Sequence, residues 1–363
     1  MNKIIYLDAA ATYQKSQVVV EAQVDFVKNH YANSGRGICA KSAWVDDMLI
    51  QTRTRIADFM GAENANQIIF TSGTTGAMNM IARMLNINSS KIVAVSDLDH
   101  HSARLPFIQN GAQVEICQLN ECYDFDTDNI PFADVMVVTA MSNVLGRAQD
   151  VAKIITAAKQ KNPNVITVVD AAQYVVHNPI DAKKWGADFV CWSGHKIGAD
   201  TGLGILYMKN PNRFAPVNFG GGMVNKIVGD KIIFNNPPDV FEAGTLPLTQ
   251  ISGMIDAIDE LEKHRPNLNL IKYVFDELAN IGRVHILTER DSAICSFVVD
   301  GMHALDFGAL LGARGVCVRV GNMCASWVHK LLGIDASVRI SVGAYNTMDD
   351  VKTAVQYIKD ILK

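Results

Sequence analysis

No two cysteines stand in a C-x-x-C arrangement, although the chain holds seven: Cys39, Cys117, Cys122, Cys191, Cys295, Cys317 and Cys324. The count is odd, and MNKIIYLDAA is not a secretory signal, because Asp8 interrupts a very short apolar run. Reduced thiols and a cytoplasmic location are therefore expected, with no disulfide framework and no metal site. Basic clusters are missing too. Lys and Arg number 33 against 37 Asp and Glu, a net charge of −4. They are scattered, so no nucleic-acid partner is expected. No stretch approaches the roughly 18 uncharged apolar residues that a membrane span needs. There are no repeats and no low-complexity tract. Neither G-x-G-x-x-G nor a Walker lysine occurs in the right context, which argues against a nucleotide-binding α/β protein.

What is present is apolar and alternating. The chain has 363 residues, 49% of them hydrophobic. That is ample for one large domain and one smaller one. Ser16 opens a helical stretch over 16–30, and a long amphipathic helix is predicted over 42–60, ended by Gly61. From 67 to 209 strands alternate with helices, which predicts an α/β fold with a mostly parallel sheet between helices. The segment 220–247 has no helical period, three successive glycines and three prolines. Irregular segments of that length are usually functional or interfacial. Helix returns over 250–280, and the domain change is placed near 255–265. The remainder alternates strands with helices over 303–314, 325–332 and 349–362, an α+β pattern.

The chemistry concentrates in 167–196, TVVDAAQYVVHNPIDAKKWGADFVCWSGHK. It reads as two strands whose ends deliver Asp170 and Gln173, then Ser193, His195 and Lys196. Ligands of open α/β sheets sit outside the carboxyl ends of the strands, so the acid and the lysine can face one cofactor. A Schiff-base lysine partnered by a carboxylate for a pyridinium nitrogen is the signature of pyridoxal 5'-phosphate chemistry. Burial would lower the lysine's pKa and free its amine. The turn of FTSGTTGAMN places N–H groups and the hydroxyls of Thr74 and Thr75 at a helix N-terminus, a phosphate site. His100 and His101 follow another strand; a structural role is their ordinary fate, and stacking on a pyridine ring is the functional one. Cys324 follows a glycine-containing loop and precedes a helix, a position that favours thiolate. Arg319 lies five residues before it and Arg339 fifteen after it, and arginines suit a substrate carboxylate. Taken singly, each has a structural alternative: a turn aspartate, a solvated lysine, a surface arginine, a buried thiol.

Together these residues resemble a known family. YLDAAAT, the Arg36-Gly37 pair, FTSGTTGAMN, DHHS, SNVLG, VDAAQ, SGHK, TGLGILY, GGGM, FEAGT, VRVGNMC and Arg339 with the later AYN run nearly end to end. VDAAQ, SGHK and FEAGT in that order are highly specific. The chain resembles the class V, fold type I pyridoxal-phosphate enzymes. Within them it is most similar to group II (SUF-type) cysteine desulfurases, which overlap with selenocysteine lyases. The resemblance implies a large domain, 15–255, with a seven-stranded mostly parallel sheet. It also implies a small domain built from 1–14 and 256–363 that carries the cysteine loop. It implies Lys196 as the Schiff-base lysine, Asp170 at the pyridine nitrogen, Gln173 at the ring hydroxyl, His100 on the ring and Asn143 beside it. Thr74, Thr75, Ser193 and His195 would hold the phosphate, and Thr245 would reach the phosphate of the other subunit of a homodimer. Arg339, with Arg319 near it, would bind the carboxylate of L-cysteine or L-selenocysteine. Cys324 would take the sulfur as a persulfide, alanine would leave, and an acceptor protein, for iron–sulfur cluster assembly or other sulfur trafficking, would receive the sulfur.

The departures fall on the sulfur-handling side. Gly35 stands where the family usually has His, Gly76 where it has Glu, and Asn322-Met323 where His-His often precedes the cysteine. A class V β-lyase, epimerase or aminotransferase is therefore one alternative. A non-catalytic subunit of a sulfur-transfer assembly is another, which Lys196 and Asp170 argue against.

Overall fold

The computed structural model of the protein describes residues 3–35 and 37–363; Arg36 of the Arg36-Gly37 pair lies outside the described residues. Seven short strands, mostly apolar, form the central sheet. Their order is Ile68–Thr71, Gly204–Met208, Phe189–Ser193, Ile166–Asp170, Val135–Thr139, Ile92–Val95 and Gln113–Ile116. All are parallel except Gly204–Met208, which runs against both neighbours. The strands Val135–Thr139, Phe189–Ser193 and Gly204–Met208 are buried along their whole length. That is what a sheet covered on both faces requires, and it is why they read as apolar runs rather than alternations. Helices Thr74–Met84 and Val151–Lys161 contribute to the two covering layers.

A second core gathers Leu270, Phe297, Phe307, Val338 and Ile358, together with Ile5 and Leu7 from the start of the chain. Its antiparallel sheet runs Val284–Ile286, Cys295–Val299, Ser337–Ile340, Arg319–Gly321. Beside it Ile5–Tyr6 pairs with Val316–Cys317. The N-terminal segment leaves this core and crosses the end of the central sheet.

The segment 220–247 is not wholly irregular. Val224–Val228 and Lys231–Phe234 form a hairpin turned at Gly229, whose φ is +59°. Ile227, Val228 and Ile232 are exposed on it. Beyond the hairpin, Glu242 of the FEAGT motif is buried and meets Arg53 of the helix Ala40–Phe59 through two bonds of 2.8 Å. It also accepts the Phe70 N–H at 2.6 Å, while Arg53 donates to the Ile68 carbonyl and lies over the Phe70 ring. The pair ties this segment to the edge of the sheet. Glu242→Gln strands a buried guanidinium, so a loss of about 3 kcal/mol is expected. The check is a lower urea midpoint at unchanged slope.

Candidate active site

Five parallel strands bring their polar ends to one side of the sheet. Ile68–Thr71 leads to Thr74 and Thr75, Ile92–Val95 to His100, and Val135–Thr139 to Asn143. Ile166–Asp170 ends on Asp170 with Gln173 beyond it. Phe189–Ser193 ends on Ser193, and a single helical turn then carries His195 and Lys196. A cavity of about 330 Å³ opens there. It is lined by Thr74, Thr75, His100, Asn143, Asp170, Gln173, Ser193, His195, Lys196, Arg319, Cys324 and Arg339. Thr245 is placed elsewhere, in a second cavity of about 640 Å³ with Gly35, Asp46 and Gly222.

The residues present fit pyridoxal phosphate. Gln173 is buried, yet neither its amide oxygen nor its amide nitrogen has a hydrogen-bond partner among the described residues. Buried amides are rarely left so, and this one faces the cavity. It could hold a ring hydroxyl, with Asp170 for a ring nitrogen and His100 for the ring face. At the other end the Thr74 N–H donates to Ser193 Oγ at 2.8 Å, and the two hydroxyls lie 2.9 Å apart. These groups, with Thr75 and the start of the helix Thr74–Met84, could hold a phosphate. The backbones crowd here: a Cβ on Gly204 would fall 2.3 Å from the Cα of Gly73, whose φ is +136°. Two of the departures are also built in. A Cβ on Gly76 would meet Ser72 Oγ at 2.4 Å. Gly35, with φ +67°, donates its N–H to Asp46 at 2.7 Å.

Burial sets the charges. Desolvation, with the nearby Arg339 charge, brings the Lys196 ammonium down to about 8. Its Nζ donates to the Ala10 carbonyl at 2.6 Å. Burial raises the Asp170 carboxyl to about 6, against the Ala172 N–H, which donates to it. His100 is pushed down to about 4, chiefly by burial and then by Lys196, so it faces the cavity as a neutral ring. His195 is lowered to about 4 for the same two reasons. Thr12 Oγ1 lies 3.0 Å from its Nδ1, which ties down that side of the ring.

At the mouth, Arg339 is almost fully buried and donates to the Asn143 carbonyl at 2.8 Å and to Asp8 at 3.1 Å. Its Nε has no partner among the described residues. The second Asp8 oxygen meets Arg319 at 2.9 Å. One carboxylate thus bridges the two arginines. Cys324 is exposed, at the rim of the same cavity. The helix after it is only Ser326–Leu331, shorter than the sequence suggests. Met323 and Cys324 both hold left-handed backbone, φ +53° and +54°.

Sequence reasoning missed three contributors. Asp8 and the Ala10 carbonyl sit in YLDAAAT, a motif quoted without a role for either. His101, whose place after a strand reads as structural, touches the cysteine loop.

A probable cysteine desulfurase from Vibrio cholerae is 31% identical over 98% of this chain and 93% of its own length. A cysteine desulfurase from Yersinia pseudotuberculosis is also 31% identical, over 99% and 94%. Among solved structures, the apo cysteine desulfurase of Thermococcus onnurineus superposes with a TM-score of 0.93 at 30% identity, covering 99% of this chain and 95% of that one. The Escherichia coli cysteine desulfurase CsdA, in its S-sulfonic acid form, gives 0.89 at 29% identity, covering 99% and 96%. The aminotransferase class-V family model matches residues 5–353. With its parallel sheet, strand-end lysine and buried acid, the chain belongs to the aminotransferase class-V family.

Proposed function

We propose that this protein is a pyridoxal-phosphate-dependent cysteine desulfurase, which turns L-cysteine into L-alanine and holds the sulfur as a persulfide on Cys324. The observation that carries the reading is one cavity lined by Lys196, Arg339 and the exposed Cys324. When bound, pyridoxal phosphate supplies the electron sink that makes the substrate's α-proton and Cβ–S bond labile. The chain's own residues do the rest. Arg339 and Arg319 hold the substrate carboxylate. Lys196, brought down to about 8, takes the α-proton at its Nζ. The Cys324 thiolate attacks the substrate sulfur: the S–S bond forms, the Cβ–S bond breaks with its electron pair left on carbon, and protonation there gives alanine.

The sulfur then needs a thiol-bearing acceptor, which an exposed cysteine can meet. Thr245, away from the Lys196 cavity, reaches the phosphate of a second copy in a homodimer. Exposed Ile50, which lines the second cavity beside Thr245, supports such an interface. Residues 15–255 act as the cofactor domain, and 1–14 with 256–363 as the domain that brings Cys324.

A single turnover with L-cysteine tests this. Wild-type protein should gain one sulfur by intact mass and release matching alanine, and Cys324→Ala should do neither. Alanine or pyruvate formed equally by both would instead identify a cysteine-independent lyase.

A further inference from the structure

The sulfur-carrying loop is fastened to the cofactor cavity at more points than its sequence suggests. On one side the Asn143 side-chain amide donates to the Met323 carbonyl at 2.9 Å. On the other, everything comes from the helix His101–Gln109, whose N-cap is His100. The His101 backbone N–H donates to the Cys324 carbonyl at 2.8 Å. The Ser326 N–H donates to His101 Nε2 at 3.3 Å, with Ser326 Oγ 3.0 Å from the same nitrogen. The Trp327 ring stands edge-on to His101 at 5.2 Å and is covered on its face by Arg104 at 4.3 Å.

We propose that His101 is a positioning residue for sulfur transfer, latching the Cys324 loop to the helix that presents His100 to the cofactor. This rests on the desulfurase reading for its purpose, while the latch itself is independent of it. The contact has a definite chemical requirement. An N–H donor from Ser326 needs a lone pair on Nε2, so the ring proton sits on Nδ1 and the imidazole is neutral. Burial favours that neutral form. The loop also needs holding. Met323 and Cys324 occupy left-handed backbone that non-glycine residues enter only at a cost, so they stay there when surrounding contacts over-determine them. Without Ser326 fastened, the loop relaxes and the thiol loses its register with the substrate sulfur. A misplacement of about 1 Å at a reacting atom costs roughly a hundredfold.

The test compares His101→Phe with His101→Gln in cofactor-loaded protein. Phenylalanine keeps the ring against Trp327 and removes the acceptor. Glutamine places a polar atom near Nε2. Two measurements are made on each: amide hydrogen exchange over residues 322–327, and the single-turnover rate of persulfide formation on Cys324. His101→Phe should raise exchange in that loop and slow persulfide formation about ten- to a hundredfold. The cofactor spectrum and its response to cysteine should not change. His101→Gln should restore both readouts to near the wild-type values. Exchange in His101→Phe equal to wild type overturns the latch. Faster exchange with undiminished persulfide formation overturns its role in sulfur transfer. If wild type forms no persulfide, the desulfurase reading and that role fall together, and exchange alone then decides the latch. A general packing defect would instead slow both variants and alter the cofactor spectrum, which also counts against the proposal.

Discussion

Lys196→Ala will lower cysteine turnover by roughly two to four orders of magnitude, the span a positioned acid–base group supplies. The loss should fall on kcat, with the protein folded and still able to bind the cofactor through its phosphate groups. Among the described residues no other amine lines the cavity: the remaining cations there are two guanidiniums, which do not give up a proton near neutral pH. The lysine's burial adds a pH prediction. Its ordinary value is 10.5 and its value in the fold is about 8. At pH 7 about a tenth of it is neutral, against a few parts in ten thousand for a free lysine. The neutral amine is the reactive form. The rate of cofactor uptake by apo-protein should therefore rise with pH through a midpoint near 8. A midpoint above 10 would show a solvated lysine and undo the argument. Linkage runs the same way. The folded state binds the proton more weakly than the unfolded chain, so this group's burial costs stability below the folded value. Stability is regained as pH rises from about 8 towards 10.5.

Asp170 and Lys196 were legible because consecutive parallel strands must end on the same side of a sheet, and two polar clusters closing apolar runs declare where that side is. Gln173 and Ser193 followed from the same rule, and Thr74 from the turn that opens a helix. The hairpin at 224–234 was not legible. Its strands are exposed and carry no clean alternation, and the flanking glycines and prolines read as loop. Asp8 was hidden for a different reason. Its partners Arg319 and Arg339 come from the far end of the chain, and no local pattern encodes a contact of that separation. His101 was hidden by its neighbour: with His100 offered to the ring, the second histidine looked spare. Thr245, legible only through the FEAGT resemblance, lies in a cavity of its own, which geometry within one chain does not connect to Lys196.

Arg339→Ala will separate substrate recognition from stability, because the guanidinium holds Asp8 and, on the desulfurase reading, also the substrate carboxylate. Removing one partner of a buried charge-assisted contact costs roughly 3 kcal/mol, so kcat/KM for cysteine should fall about a hundredfold, mainly through KM. The same truncation leaves Asp8 with Arg319 alone, a side chain nearly half exposed, and removes the donor to the Asn143 carbonyl. A stability loss of roughly 1–3 kcal/mol is expected, because Asp8 keeps only that half-exposed partner and the Asn143 carbonyl loses its donor. Asp8→Asn should therefore behave oppositely in the two assays. Added to Arg339→Ala, it relieves the weakly compensated charge and recovers part of the stability. It cannot recover the KM, because the group that meets the substrate carboxylate is still missing. Added to wild type, it frees the arginines from an internal competitor, so KM should stay near its original value or fall. Lys196 reports the change independently. The Arg339 charge is one of the forces holding the lysine at about 8, so the midpoint of cofactor uptake should move upward in Arg339→Ala. Unchanged KM in Arg339→Ala, or recovery of activity in the double variant, would mean that Arg339 is a structural partner of Asp8 and that the substrate carboxylate is held elsewhere, with Arg319 the first residue to examine.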